Sequence, residues 1–486
     1  MSLKFFNTLT HRLEEFHPLD PAGKRVGIYT CGPTVYDFAH IGNFRAFTFE
    51  DLARRYLACK GYDVVHVMNI TDVEDKIIRK VRETREPLQQ LTGRYTAAFL
   101  DDCRALNLLP PHHVPRATDH IPEMLALIGA LMDKGVAYQA PDKSVYFSIA
   151  KFARYGQLKK IDADQMRPGE RVKLDEYEKE SLGDFALWKA WDEADGDIGW
   201  DSPWGRGRPG WHIECSAMSM KYLGESFDLH CGGEDLVFPH HEDEIAQSEA
   251  ATGKQFARVW LHCAYLLVNG QKMSKRSGNF FTLRDLFAKG YTGRELRYTL
   301  IAEHYRRQLN FTFEGVDAAR ASLARIDEFL MKLQDIAKHA TPADANAVRP
   351  LTTESVIELT QQNALTSRVK TAFEKALDDD LNISSALGAL FDFIRDTNKV
   401  LSEGVLLSSP RAAMEILDTW RRFDTVLGFG MPQAQEAPAD IAALADLRLA
   451  ARKAKDFKRA DQIRDELKAK GWVIEDTPKG PKLKKL

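Results

Sequence analysis

The chain has 486 residues, too many for one ordinary core, and the usual domain size points to about three or four domains. Hydrophobic residues at 44% and charged residues at 28% exclude the disordered and fibrous classes. A formal net charge of −3 excludes a uniformly basic nucleic-acid coat but allows local basic surfaces.

The six cysteines, Cys31, Cys59, Cys103, Cys215, Cys231 and Cys263, lack the dense spacing of a disulfide framework, which favours metal or catalytic use in a reducing compartment. The opening MSLKFFNTLT has no basic segment followed by an apolar core, and no apolar run approaches the roughly 18 residues of a membrane span. A cytoplasmic protein without a membrane partner, monomeric by default, is the expectation.

In chain order, the first unit is a strand at Val26–Thr30, a loop Cys31–Ile41, a helix from about Gly42 to Lys60 and a strand around Val64–Asn69. Phe44, Phe47, Phe49, Leu52 and Tyr56 recur at mostly helical intervals, whereas Val64, Val65, Val67 and Met68 form a short β-branched run. This β-loop-α-β pattern predicts a Rossmann-like α/β domain with a parallel sheet. The turn-rich, charged stretch 111–209 interrupts it and reads as an inserted subdomain. Strands at Phe227–Cys231 and Val259–Val268 then complete the sheet, so the catalytic domain comprises 1–110 and 210–283.

Helical periodicity dominates from Arg284 to about Phe429, with Ala386, Leu387, Leu390, Phe391 and Ile394 as one apolar face. This region divides into 284–345 and a bundle at 346–430. The Pro- and Ala-rich segment 431–440 has linker composition, and 441–486 is a small module with about twice as many basic as acidic residues. Within it, Arg448, Arg452, Lys455, Lys458, Arg459 and Arg464 recur on a predicted helix. A short strand at Gly471–Ile474 follows and carries Trp472, expected to be exposed.

Three constellations carry chemistry. His40-Ile41-Gly42-Asn43 lies between a strand and a helix start, where free backbone N–H groups and the helix dipole favour polyphosphate. Lys272-Met273-Ser274-Lys275-Arg276, between Asn269-Gly270 and Ser277-Gly278, is a basic loop that can close over phosphates. Cys31, Cys215 and the run Pro239-His240-His241-Glu242-Asp243-Glu244 combine donors common at zinc. A helix begun at Pro239 makes His240 and Glu244 i, i+4 partners and turns His241 to a neighbouring face. Singly, these strings also read as a capped turn, a solvated basic turn and buried cysteines beside a surface His/Glu pair. Together on one α/β scaffold they favour nucleotidyl transfer.

These residues resemble the class I aminoacyl-tRNA synthetases and, within them, the cysteinyl-tRNA synthetase family. His40–Asn43 is similar to the HIGH signature, with Asn43 for its last histidine, and Lys272–Arg276 to KMSKS, with Arg276 for its serine. Tyr29–Tyr36, Gly207–Met218 and Phe238–Glu242 resemble segments of the cysteine branch. The resemblance covers nearly the whole chain.

It implies cysteine, ATP with Mg2+, and tRNA(Cys) as substrates, and one Zn2+ held by Cys31, Cys215, His240 and Glu244. His40, Asn43, Lys272 and Lys275 are the implied catalytic residues, and with Gly42 they bind ATP. Thr71 and Trp211, joined by His230 and Asp235, are implied for the cysteine pocket. The same resemblance makes 111–209 a connective subdomain, 284–345 a stem-contact region, 346–430 a tRNA-binding bundle and 441–486 an anticodon-recognition module. The competing readings are a cysteine ligase of the mycothiol-biosynthesis type and a non-catalytic tRNA-binding protein. The basic terminal module counts against the first, and the intact phosphate and metal motifs count against the second.

Overall fold

The computed structural model describes residues 2–160, 171–172, 183–274, 277–338, 353–402, 410–432, 438–477 and 480–485. It divides into two compact units, Met1–Gly430 and Met431–Leu486. Among the described residues, no helix is long and apolar enough to cross a membrane.

The centre of the larger unit is a four-stranded parallel sheet, in the order Ala257–Cys263, Phe227–Gly233, Arg25–Thr30, Asp63–Met68. Val26, Ile28, Tyr29, Val67 and Leu229 are buried along its strands, as expected for a sheet covered on both faces. From Arg25–Thr30 the chain crosses through helix Ile41–Cys59 to Asp63–Met68 on one side. It returns much later to place Phe227–Gly233 on the other. The strand order therefore reverses beside Arg25–Thr30, and the crevice beyond its carboxyl end is where open α/β sheets bind ligands. Cys31 is the first residue of that crevice.

The insertion builds its own five-stranded sheet, including Ala137–Gln139, Val145–Phe147, Asp184–Ala190 and Gly207–Pro209. Most of the charged stretch 165–180 lies outside the described residues. The predicted strand Val259–Val268 is two strands in two sheets. After Cys263 the chain bends, Ala264 N donates to Tyr305 O at 2.8 Å, and Leu266–Val268 pairs with Leu309–Phe311 and Gln271–Lys272. The bend depends on a partner some forty residues downstream.

Helices Phe313–Ala337, Thr353–Asp378, Ile383–Ser402 and Pro410–Leu427 form the bundle. Ala386, Leu387, Leu390 and Ile394 are buried as their spacing predicts. A buried polar knot ties the bundle to the sheet's crossover helix. The Arg297 guanidinium, fully enclosed, donates to the carbonyls of Leu427, Leu106 and Asn107 and sits 2.7 Å from Asp51 Oδ2. Arg55 Nε donates to the same Asp51 oxygen at 2.7 Å, and Asn107 Nδ2 donates to Gly428 O at 2.9 Å.

In the smaller unit, helices Ala439–Lys453 and Phe457–Ala469 pack on a hairpin, Trp472–Thr477 with Gly480–Lys485. Trp472 is not an exposed platform: it joins Ile441, Ala445, Ile463, Leu467 and Ile474 in the core of a unit too small to leave its largest apolar side chain outside. Arg448 is also buried, whereas Arg452, Lys455, Lys458, Arg459 and Arg464 are exposed.

Removing one member of a buried ion pair leaves the other uncompensated, at about 3–5 kcal/mol. Arg297→Met therefore lowers the apparent melting temperature of the full chain by several degrees in scanning calorimetry. Arg395→Ala, in an exposed cluster with Asp392 and Asp396, stays within about 0.5 kcal/mol of the parent.

Candidate metal centre and nucleotide site

At the carboxyl end of the sheet, four elements bring sulfur, imidazole and carboxylate together. Cys31 follows strand Arg25–Thr30, Cys215 is on helix Trp211–Leu223, His240 precedes helix Glu242–Thr252, and Glu244 lies in that helix's first turn. Cys31 Sγ lies 3.8 Å from Cys215 Sγ, 3.5 Å from His240 Nε2 and 3.6 Å from Glu244 Oε1, and His240 Nε2 is 3.1 Å from Glu244 Oε1. The donor atoms of this quartet all fall within 4.8 Å of one another, and all four residues are buried. Soft thiolates with imidazole and a carboxylate match the ligand chemistry of zinc.

The electrostatics suit a cation. Against burial, the charges of His230 and His240 hold the Glu244 carboxyl down at about 2. Burial lowers His240, but Glu244 and Cys215 raise its imidazole to about 10. Burial raises both thiols. Cys31 stays well above the ordinary range, whereas hydrogen bonds from Cys31 and His240 bring Cys215 down to about 6. Protons on Cys31 and His240 thus compete with a cation for the same donor atoms.

His241, on the neighbouring face, also reaches the cluster. Its Nε2 lies 3.4 Å from Cys31 Sγ, and it forms a second donor set with Cys31, His230 and Glu244. The backbone kinks at Phe238, extended at φ −143° and ψ 133°, before Pro239, and His240 and Glu244 remain i, i+4 partners. His230 is fully buried with Nε2 2.9 Å from Glu244 Oε2, so it backs a candidate ligand as well as lining the crevice. His212 and His262 were not singled out in the sequence. His212 Nδ1 is 2.8 Å from His240 Nδ1, and His262 Nε2 is 2.8 Å from His241 Nδ1. The alternation of Trp260 and His262 on one strand was the available signal.

Trp211 stacks on the His240 ring, with centroids 4.1 Å apart. Thr71 is buried and fixed against the loop after Cys31: its N–H donates to Pro33 O, and its carbonyl accepts from Val35 N. Asp235 is exposed on a short turn beyond strand Phe227–Gly233.

The two phosphate motifs are joined. His40 caps helix Ile41–Cys59: its Nδ1 accepts from Asn43 N at 3.2 Å, and Asn43 Oδ1 accepts from His40 N at 3.1 Å. Ile41 N donates to Phe281 O at 3.0 Å, and His40 bridges Thr282, just after the basic loop. A Cβ on Gly42 would meet Met273 Cε at 2.6 Å and the His40 ring at 3.0 Å, so a side chain there would push the Met273 methyl aside and press on His40. Lys272 pairs with Leu267 across the Asn269–Gly270 turn, and its Nζ lies 5.6 Å over the Tyr265 ring. Lys275 and Arg276 lie outside the described residues.

Three families match successive parts of the chain. The class I (C) tRNA synthetase catalytic domain covers residues 16–321, the DALR domain 372–431, and the cysteinyl-tRNA ligase anticodon binding domain 434–481. A cysteine–tRNA ligase of Chlamydia muridarum is 47% identical over 495 residues, spanning 100% of both chains. One from Solibacter usitatus is 47% identical over 489 residues, again with 100% of both covered. A Mycobacterium tuberculosis methionyl-tRNA synthetase solved with methionyl-adenylate superposes with a TM-score of 0.59 at 16% identity, covering 84% of this chain and 88% of that one, which shows a shared fold. On the full-length identities and the consecutive domain matches, the chain belongs to the cysteine–tRNA ligase family of class I aminoacyl-tRNA synthetases.

Proposed function

We propose that the protein activates L-cysteine with ATP, giving cysteinyl-adenylate and pyrophosphate, and then passes the cysteinyl group to the 3′ end of tRNA(Cys). The observations that carry this reading are a sulfur-rich donor quartet beginning at Cys31, just after strand Arg25–Thr30, and the helix start that follows it in the chain, joined to a basic hairpin. The match to an anticodon binding domain over residues 434–481 favours tRNA over an amino sugar as the acceptor.

In activation the cysteine carboxylate attacks the α-phosphate of ATP, supplied as its Mg2+ complex, and the bond to the β-phosphate breaks. The positive end of the dipole of helix Ile41–Cys59 favours the phosphates, and His40 and Asn43 are held in place beside it by their reciprocal hydrogen bonds. Gly42 keeps that surface free of a side chain. Lys272 and Lys275 neutralise charge growing on the α-phosphate and the leaving pyrophosphate. Thr71 and Trp211 bound the cysteine pocket, with His230 and Asp235 at its margins.

Cys31, Cys215, His240 and Glu244 hold one zinc ion in this reading. Bound zinc supplies a Lewis acid that lowers a thiol's pKa and prefers sulfur to a serine hydroxyl. A site rewarding a group present only in the correct substrate discriminates by about 10⁴-fold or more, so no editing domain is required.

Residues 111–209 act as the connective subdomain, 284–345 contact the acceptor stem, and 346–430 with the terminal unit bind tRNA. In the terminal unit the exposed aromatic is Phe457, at 61% exposure, with Lys455, Lys458 and Arg459 exposed beside it. Such a surface stacks unpaired bases and contacts phosphates.

Cys215→Ala and His240→Ala each lose zinc in metal analysis of purified protein, and full occupancy in both removes this ligand set. Metal retention also falls with pH. Zinc competes with protons for Cys31, for Cys215 (about 6) and for His240 (about 10), so dialysis against a non-titrating chelator strips more metal at pH 5.5 than at pH 8.

Lys275→Ala slows cysteine-dependent ATP–pyrophosphate exchange by about 10²–10³-fold with KM for cysteine nearly unchanged, because its contribution grows in the transition state. An unchanged exchange rate removes Lys275 from the mechanism.

Deleting the chain from Ala439 onward preserves exchange but weakens tRNA charging, and binding of the truncated protein has a shallower salt slope. Phe457→Ala weakens tRNA binding in the full chain. Equal charging and salt dependence in a folded truncation count against a tRNA role for this unit.

A further inference from the structure

Three consecutive carboxylates, Glu242, Asp243 and Glu244, open one helix and are all fully buried. Each has a different partner. Glu244 faces His230 and His240, and Asp243 Oδ1 accepts from Tyr155 Oη at 2.5 Å. Glu242 points at the insertion: Oε1 accepts from Gly156 N at 2.8 Å and Gln157 N at 3.1 Å, and Oε2 accepts from Leu158 N at 2.8 Å.

Successive backbone N–H groups converging on one point form an anion nest. Here Gly156, at φ +91°, supplies the left-handed residue that such a turn requires. The nest is filled by a side chain from another part of the chain, 84 to 86 residues downstream. Hydrogen bonds to an ionised acceptor are stronger than neutral ones, and a buried carboxylate without them is unfavourable. Glu242 is two residues from each of His240 and Glu244 along the chain. Whatever fixes Glu242 therefore fixes the segment that presents both donors.

We propose that Glu242 is a positioning residue through which the inserted subdomain holds the metal-ligand segment in place, making the Gly156–Leu158 loop a determinant of metal retention and of affinity for cysteine. This rests on the reading of His240 and Glu244 as ligands. Glu242 touches neither substrate nor metal. It acts through the backbone it anchors, and the insertion is thereby a working part of the amino-acid end of the site.

The test uses the full-length zinc-loaded enzyme, with metal release followed by a chromophoric chelator. Glu242→Gln sets an amide NH2 against an N–H donor, and Gly156→Ala strains the nest from the insertion side without altering the ligand segment. Outer partners of metal ligands typically change metal affinity 10–100-fold. Glu242→Gln is expected to release zinc 10–100-fold faster, Gly156→Ala to shift in the same direction, and KM for cysteine to rise in both while KM for ATP stays within about twofold. Loss of melting temperature with wild-type release in both variants overturns the proposal, leaving Glu242 a packing residue. A rise in KM for ATP equal to that for cysteine overturns it too, since the effect would then be general. Cys215→Ala and His240→Ala run alongside: full zinc in those refutes the ligand set itself, and full loss there with wild-type release in Glu242→Gln refutes only the clamp.

Discussion

The constraint on which the site depends is the burial of ionisable groups at the carboxyl end of the parallel sheet. Glu244 has no exposure, and its carboxylate persists there because His230 and His240 close on its two oxygens. Those imidazoles are held in turn: His240 between Trp211 and His212, His230 by stacking on Trp260 at 4.4 Å. Isolated buried charges are expensive, so such a cluster survives only when every member has a partner or an ion. The strand order, the helix starts and the insertion all converge on satisfying it.

The nucleotide half follows another logic. Its groups lie nearer solvent, and its order comes from backbone contacts between His40–Ile41 and Phe281–Thr282. The basic loop between Lys272 and Ser277 is anchored at both ends, by strand pairing with Leu267 and by Ser274 N donating to Asn279 Oδ1 at 2.8 Å. A loop tethered this way can meet phosphates without losing its relation to the helix start, and approximate placement of charge suffices for a polyanion.

Much of this was legible in the sequence because local patterns encode it. The β-branched runs, the helical spacing after Gly42 and the interruption after residue 110 all have counterparts in the structure. Legibility ended where geometry depends on distant partners. Val259–Val268 reads as one strand because nothing local announces that Leu266 will pair with Leu309. Helical spacing sets His241 on a face next to that of His240, but cannot tell that Cys31, from a distant strand, comes within 3.4 Å of its Nε2. Trp472 was read as exposed because an aromatic among lysines resembles a stacking platform, whereas a unit of this size needs it inside. The Glu242 nest was invisible, since its donors are backbone groups and carry no residue signature.

The interrupted sheet also bears on how the protein is made. Strand Arg25–Thr30 is paired on one side by Asp63–Met68, but its other neighbour, Phe227–Gly233, leaves the ribosome roughly 200 residues later, or about 10–40 s at ~5–20 residues per second. Until then the side of Arg25–Thr30 that Phe227–Gly233 covers has no partner strand, and unpaired strand edges template wrong pairings. The insertion is synthesised within the same window and has strands of its own, but most of its apolar residues, Phe147, Phe185 and Trp188 among them, share one core with Tyr29, Phe227 and Trp260 of the sheet. Its last strand, Gly207–Pro209, pairs with Asp184–Ala190 and leads directly into helix Trp211–Leu223, which packs on the sheet. The subdomain that interrupts the sheet in sequence thus supplies, in space, part of the core on which the sheet closes.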